Sequence, residues 1–404
     1  MLGSDSLDGM KDRFGPLLSI PPPSIIKLAH DVATQKGLKP RTKGKLLERL
    51  EGSNNLIHTV DFGSIKLVVR IPAIGFGSRM TAIAAQALES QVATLRVIRK
   101  KTSLPVPEVY SHDTTSKNEI GAPYICMSFM PGQPAYKLWF SPQKSRRKLT
   151  REQLRLNILT SVANAMAKLS SLTFDKMGSI QDDGLGGTTL GPCYEWDEKD
   201  DASRGSSSRQ KPASPGKRQG VGDTHIDSLP AQHTFVLDFP DFDLQNVLVD
   251  PKGNVTGLVD WDLVQTVPRY VGYARHPGWI TRDWDPLMYT WPQNPDREDS
   301  PELLEKYREY YHRRLGQALS RKGDWECLSL VFNQKSHLFE AVWNAALLYR
   351  NRLEICRKFV QVAVGDDTDA LTVLHSIGAE WIRDEDWTIL QSKLRQMLVV
   401  VANT

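Results

Sequence analysis

Asp241, Asn246 and Asp260 stand in the stretch Phe235 to Asp262, and their types and order suit one kind of chemistry. Val247 to Val249 and Val255 to Val259 are short β-rich runs, and Asp250-Pro-Lys-Gly-Asn254 between them is turn chemistry. A hairpin folded about that turn brings Asn246, which precedes the first strand, beside Asp260, which closes the second. An amide oxygen and a carboxylate at one open end are the hard donors that Mg²⁺ takes when phosphates and water complete its octahedron. Asp241 lies on the loop leading in, where it can reach a hydroxyl entering the same place. A carboxylate to accept a hydroxyl proton, with Asn and Asp on a metal, is a layout for phosphoryl transfer. Taken singly, each residue is explained as well by a solvated hairpin end, so the joint spacing carries the reading.

The elements that must hold these residues fall into two groups. Asn55 to Val60 and Ile65 to Ile71 are β-rich runs flanking Asp61-Phe-Gly63-Ser, a hairpin signal. Met80 to Lys101 keeps an apolar stripe through Ile83, Ala87, Val92, Leu95 and Ile98, which predicts a long helix ended by Pro105 and Pro107. Val109-Tyr110 and Tyr124 to Phe129 read as further strands, giving a small α+β lobe. Beyond Pro131-Gly132 the pattern turns helical: Leu154, Ile158, Val162, Ala165 and Leu169 predict a helix over Thr150 to Leu172, and Pro301 to Val401 is helical in character. Residues 1–22 read as loop, followed by a short helix from Ser24, a candidate N-cap, to Gly37. Residues 198–222 are polar and Gly/Ser/Lys-rich, too poor in apolar groups to offset ordering entropy, and are expected to be a disordered insertion.

Composition narrows the classes. The chain has 404 residues, 40% hydrophobic and 24% charged, as an ordinary globular protein does, and 51 basic against 47 acidic residues leave a net charge of only +4. That balance disfavours nucleic-acid binding through phosphate neutralisation; Arg96 to Lys101 reads as the polar end of a helix. Cys126, Cys193, Cys327 and Cys356 are scattered without metal or disulfide spacing. Neither a secretory signal nor an apolar run of membrane-spanning length is visible, so a cytoplasmic protein without a membrane partner is expected. Oligomeric state is not legible.

With these residues in view, Phe235 to Asp262 resembles the catalytic loop and metal hairpin of the aminoglycoside phosphotransferase family, in the form common in fungal small-molecule kinase-like proteins. Leu50-Glu-Gly52-Ser53-Asn54-Asn55 resembles its nucleotide-covering loop, Leu67 to Pro72 its third strand, Ser103 to Val109 its helix-to-strand connection, Ala122 to Gly132 its interlobe hinge, and Lys176 to Ile180 a bend in its large lobe. The resemblance implies an α+β, bilobed protein-kinase-like fold: an N-terminal extension over 1–45, a small antiparallel-sheet N-lobe over 46–130, and a larger, mainly helical C-lobe over 131–404. It implies ATP and Mg²⁺ as cofactors and a small-molecule hydroxyl as acceptor. Asp241 is then the catalytic base, and Asn246 and Asp260 are the Mg²⁺ ligands. Arg70 is the phosphate-pairing strand cation, and Gly52, Ser53 and Asn54 close over the phosphates. Met127, Ser128 and Met130 offer backbone hydrogen bonds to adenine.

Three departures bear on activity. Phe239 stands where the family usually has a loop-organising His, and is expected to substitute by packing. Arg70 replaces Lys, which keeps charge and bidentate phosphate geometry. The helix position for the cation's partner Glu holds Gln91, with Glu89 on another face, a loss expected to loosen Arg70. A weakened kinase or a non-catalytic binding protein is therefore the alternative; a protein kinase is disfavoured by missing G-x-G-x-x-G, H-R-D, D-F-G and A-P-E strings. Among weaker signals, Gly75-Phe-Gly77 reads as a turn, and Asp243 and Asp262 as partners of local backbone N–H groups. Trp279 to Pro286 reads as packed structure, and the acidic clusters Asp366 to Asp369 and Asp384 to Asp386 as helix caps and solvated ends.

Overall fold

The hairpin predicted around Asp61 forms from Asn55–Asp61 (β2) and Lys66–Pro72 (β3), whose β-branched and aliphatic residues suit a buried ladder. Its turn is closed by Gly63, whose N–H donates to Asp61 Oδ1 at 2.7 Å and whose φ of +78° needs no Cβ. The computed structural model describes residues 7–141, 149–197, 209–212, 235–321, 328–347, 349–365 and 368–399. Their contacts divide the chain into two units. One comprises Met1–Gly132, Lys176–Leu229 and Thr256–Thr266; the other comprises Gln133–Asp175, Pro230–Val255 and Val267–Thr404.

In the first unit, β2 and β3 join Lys45–Glu51 (β1), Val109–Asp113 (β4) and Tyr124–Ser128 (β5) in an antiparallel sheet of order β1-β2-β3-β5-β4. Arg70 sits opposite Ile57 on one side and Ile125 on the other. Strand β1 escapes a period-2 reading because all but one of its residues are exposed. Residues 1–22, expected as loop, instead contain the helix Leu7–Phe14 (α1) and a 3₁₀ turn over Gly15–Ser19. Phe14 and Leu17 bury themselves in the sheet's core, a tertiary gain that local periodicity does not register. The next helix, Pro22–Gln35 (α2), begins two residues before the expected cap, because Pro at its first positions has the fixed φ a helix start wants. Gly37, at φ +67°, follows its end as predicted. The long helix is Ala82–Lys101 (α3), with Thr81 accepting from Ala84 N–H at 3.2 Å as N-cap. Within the segment expected to be disordered, Arg209–Pro212 pairs antiparallel with Tyr194–Asp197; a ladder draws on backbone groups and needs no apolar run. The remainder of 198–222 lies outside the described residues.

The second unit is mainly helical: Tyr136–Trp139 (α4), Arg151–Met166 (α5), Pro301–Ser320 (α6), Leu328–Asn333 (α7), Ser336–Leu347 (α8), Tyr349–Val364 (α9), Ala370–Gly378 (α10) and Asp384–Leu398 (α11). Thr150 and Gln153 form a reciprocal capping box at the start of α5, which runs on as a 3₁₀ turn to Ser171. Asp369 caps α10, and Asp384 to Asp386 occupy the first turn of α11, as expected; Asp366 and Asp367 lie outside the described residues. Among the described residues no helix is long and apolar enough to cross a membrane.

One buried group in β2 sets an acid limit. His58 is 3% exposed, and burial, aided by the charge of Arg49, depresses its pKa from 6.5 to about 4. The unfolded chain therefore binds the proton that the folded chain refuses, and stability falls as pH drops from 6.5 towards 4, by about 1.4 kcal/mol per pH unit. Urea denaturation at pH 7 and pH 5 should show at least this slope in the wild type, where buried His276 and His337 add to it, and a slope shallower by about this amount in His58→Leu.

Candidate active site

The first unit gathers charge around Arg70. Its side chain is 7% exposed and carried on the central part of β3. Nη2 donates to Asp260 Oδ1 at 2.9 Å and to Asp262 Oδ2, and Asn55 Nδ2 on β2 donates to the same Asp262 oxygen at 3.1 Å. Burial works against the guanidinium's charge, but Asp262 and Asp260 outweigh it and hold the pKa above the ordinary arginine value. Two sequence expectations are corrected here. Asp262 partners Arg70 and Asn55 rather than local backbone, and the cation is not loosened by the absence of a helix carboxylate. Gln91 lies on the wall of the same recess, whereas Glu89 is turned to His112, with Oε2 2.8 Å from Nε2.

That recess, with an open volume of about 610 Å³, is also lined by Ser53 and Asn54 from the β1–β2 turn. Gly52 N–H and Asn54 C=O are engaged by Asn55 O at 2.9 Å and Ala73 N at 2.8 Å, so the turn is tied to its own strands. Asp260 has φ +62° and Leu263 φ +55°, a left-handed geometry that costs about 1 kcal/mol or more for a non-glycine residue. The bend directs both Asp260 and Asp262 at Arg70. Along the expected hinge, Met127 is built into the ladder between β3 and β4, and Ser128 N–H donates to Glu108 O at 2.8 Å. Met130 lies beyond the strand, with its backbone outside any ladder. Gly75 forms the turn predicted after β3, donating to Pro72 O at 2.8 Å.

The second unit carries Asp241 and Asn246. Strand Val247–Val249 leads into a turn in which Asp250 N–H donates to Asn254 O at 2.9 Å, and Val255–Leu258 follows. Asp250 Oδ1 accepts from the N–H groups of Lys252 and Asn254, an Asx-type turn that the sequence signals. Gly253 is required there: at φ +86°, a Cβ would come 3.1 Å from Leu154 O. Asn246 Nδ2 donates to Asp241 Oδ2 at 2.7 Å and to Asp241 O at 2.9 Å, and Gln245 Nε2 adds a bond to Oδ2 at 3.0 Å. With its amide hydrogens committed, Asn246 offers a ligand only through Oδ1.

Phe239 is packed: it is fully buried, with its ring centroid 5.6 Å from that of Phe242. Sequence reasoning missed the other half of the support. Arg275 Nη2 donates to Phe239 O at 2.7 Å and Pro240 O at 2.8 Å, while Nη1 donates to Glu340 Oε1 at 2.6 Å. Asp238 lies 3.5 Å from its Nε. Asp243 accepts from Leu244 N–H at 2.6 Å, the expected local bond, and also from Arg282 Nη2 at 2.9 Å. Burial raises its pKa against these favourable contacts. Trp279 and Trp284 are packed as predicted, yet Arg282, Trp284 and Asp285 also line a recess beside Asp241 with an open volume of about 580 Å³.

Among the described residues, no group of three or more His, Cys, Asp or Glu side chains is placed to hold a metal. The two expected ligands do fit Mg²⁺ in kind, a carboxylate at Asp260 and an amide oxygen at Asn246 being hard donors, and the Asp260 carboxylate is already paired with the Arg70 guanidinium.

Comparison with known proteins places this arrangement in a class. The model of the phosphotransferase enzyme family (APH) matches residues 46–325, and the chain belongs to that family. A curated relative is altered inheritance of mitochondria protein 9, mitochondrial, of Candida albicans, 30% identical over 185 residues. The match covers 43% of this chain and 29% of that protein, so the chain spans less than a third of the relative's length. Two solved structures overlap loosely: macrolide 2'-phosphotransferase type I (13% identity, TM-score 0.38, 81% of this chain and 95% of that one) and a thermostable mutant of aminoglycoside phosphotransferase APH(4)-Ia in complex with AMP-PNP and hygromycin B (18%, TM-score 0.36, 78% and 99%).

Arg275→Leu should cost about 2–4 kcal/mol in urea denaturation, because the half-buried Glu340 and Asp238 lose their buried cation. Arg275→Lys should recover less than half of that loss, since an ammonium cannot span two carbonyls and a carboxylate as the guanidinium fork does.

Proposed function

We propose that the chain is an ATP- and Mg²⁺-dependent phosphotransferase that moves the γ-phosphoryl group to a hydroxyl of a small molecule. The observation that carries the reading is the buried Arg70, gathered with two carboxylates beside a backbone turn, in a chain of the phosphotransferase family. Arg70 neutralises charge on the nucleotide phosphates, and the turn over Gly52, Ser53 and Asn54 closes over them while its Gly52 N–H stays donated to Asn55 O. Met130 is the hinge residue whose backbone lies outside the ladder and can face adenine. Asp260, and Asn246 through Oδ1, would hold Mg²⁺, which would supply neutralisation of the phosphate charge.

Asp241 receives the acceptor's proton. Its Oδ2 is fixed by Asn246 and Gln245, which leaves Oδ1 for the incoming hydroxyl. As the hydroxyl oxygen bonds to the γ-phosphorus, the bond from that phosphorus to the β-bridging oxygen breaks and ADP departs. The recess beside Asp241, with Arg282 and Asp285 in its wall, is the place for a polar acceptor. Positioning and electrostatics supply most of the rate in such a reaction.

A second reading, a nucleotide- or metabolite-binding protein without turnover, is favoured by the Arg70–Asp260 ion pair, which occupies a carboxylate the metal needs. A metabolite-library screen following ATP consumption decides between them. Turnover with at least one acceptor is expected; Asp241→Asn should lower kcat by about 10²–10⁴-fold with nucleotide affinity kept. Asp260→Ala should lose Mg²⁺-dependent nucleotide binding. Thermal stabilisation by ATP and Mg²⁺ with no turnover for any acceptor would establish the second reading.

A further inference from the structure

A guanidinium as enclosed as that of Arg70 needs a permanent counter-charge, because an unpaired buried ion is costly. Helix α3 does not provide one: it lines the recess with Ala84, Ala87, Leu88 and Gln91, none of them charged. The two carboxylates that do face Arg70 differ. Asp262 is 19% exposed and is held from a second side by Asn55 Nδ2. Asp260 is 38% exposed, the more open of the pair. One is clamped between two strands of the sheet, and the other is accessible to an incoming cation.

We propose that Asp262 is the positioning residue for Arg70, taking over from the helix the work of holding the strand cation, while the Arg70–Asp260 contact is the one exchanged when nucleotide and metal arrive. The inference rests on the functional reading above and adds to it a second role for the segment after Val255–Leu258. Because Asp260 and Asp262 share one bend, the cation that meets the phosphates and the carboxylate that meets the metal are set by the same backbone. Asn55 completes the device by fixing the oxygen of Asp262 that Arg70 uses.

Calorimetric titration of ADP, with and without Mg²⁺, onto wild type, Asp262→Asn and the double variant Asp262→Asn/Gln91→Glu tests this. Asp262→Asn should weaken metal-free ADP binding by about 10-fold and raise the KM for ATP more than it lowers kcat. The double variant, which supplies a carboxylate from the helix wall of the recess, should recover to within about 3-fold of wild type. Metal-free binding left intact while only Mg²⁺-dependent binding falls would make Asp262 a metal ligand and overturn the proposal. A double variant that melts like wild type yet binds no better than Asp262→Asn would overturn it as well. If Asp262→Asn does not fold, Asp262→Glu is read in the same titration: a several-fold loss supports a positioning role, and unchanged affinity refutes it. Wild type that binds no adenine nucleotide sinks the functional reading and this inference together; wild-type binding matched by every variant sinks the inference alone.

Discussion

A charged guanidinium enclosed in a β-sheet unit imposes a constraint on everything around it. Removing Arg70 from water costs several kcal/mol, and that cost is offset only while Asp260 and Asp262 stay within hydrogen-bonding reach. The sheet register therefore has to be right. Arg70 faces the recess because β3 pairs with β2 and β5 at Ile57 and Ile125, and a slip of one residue would send it to the opposite face. The left-handed backbone at Asp260 and Leu263 is tolerated for the same reason, since relaxing it would withdraw both carboxylates from the cation.

In the second unit the constraint has a different form. Asp241 sits on a short loop with little regular structure of its own, so its orientation comes from what lies beneath. Phe239 and Phe242 fill the core, and Arg275 gathers two successive carbonyls of the loop, Phe239 O and Pro240 O. Arg275 is itself neutralised by Glu340 and Asp238, and burial raises the Glu340 pKa despite that pairing.

Much of this was legible in the sequence where the signal is local. The hairpin around Asp61, the turn at Asp250, the long helix before Pro105 and the helix from Thr150 all declare themselves in local patterns. The parts that were not legible depend on partners far apart in the chain. Asp262 reads as a partner of local backbone N–H groups until the fold brings in Arg70, 192 residues away. Arg275 is one arginine among many until its fork meets Phe239 and Pro240. Strand β1 shows too little alternation to be recognised, and α1 is held by the burial of Phe14 and Leu17 rather than by its own pattern. Gln91 was read correctly as a missing carboxylate, but the conclusion that Arg70 would be loose did not follow, because another residue supplies the charge.

The phenyl ring at Phe239 has a consequence for behaviour in solution. An imidazole under this loop would gain and lose a proton near neutrality, and the carbonyl contacts it makes would change with it. A phenyl ring has no proton to exchange, and a guanidinium keeps its own throughout the physiological range. Of the scaffold beneath Asp241, the ring and the guanidinium thus add no titration in the interval where cells vary, and its acid-sensitive member is Glu340, whose pKa burial raises.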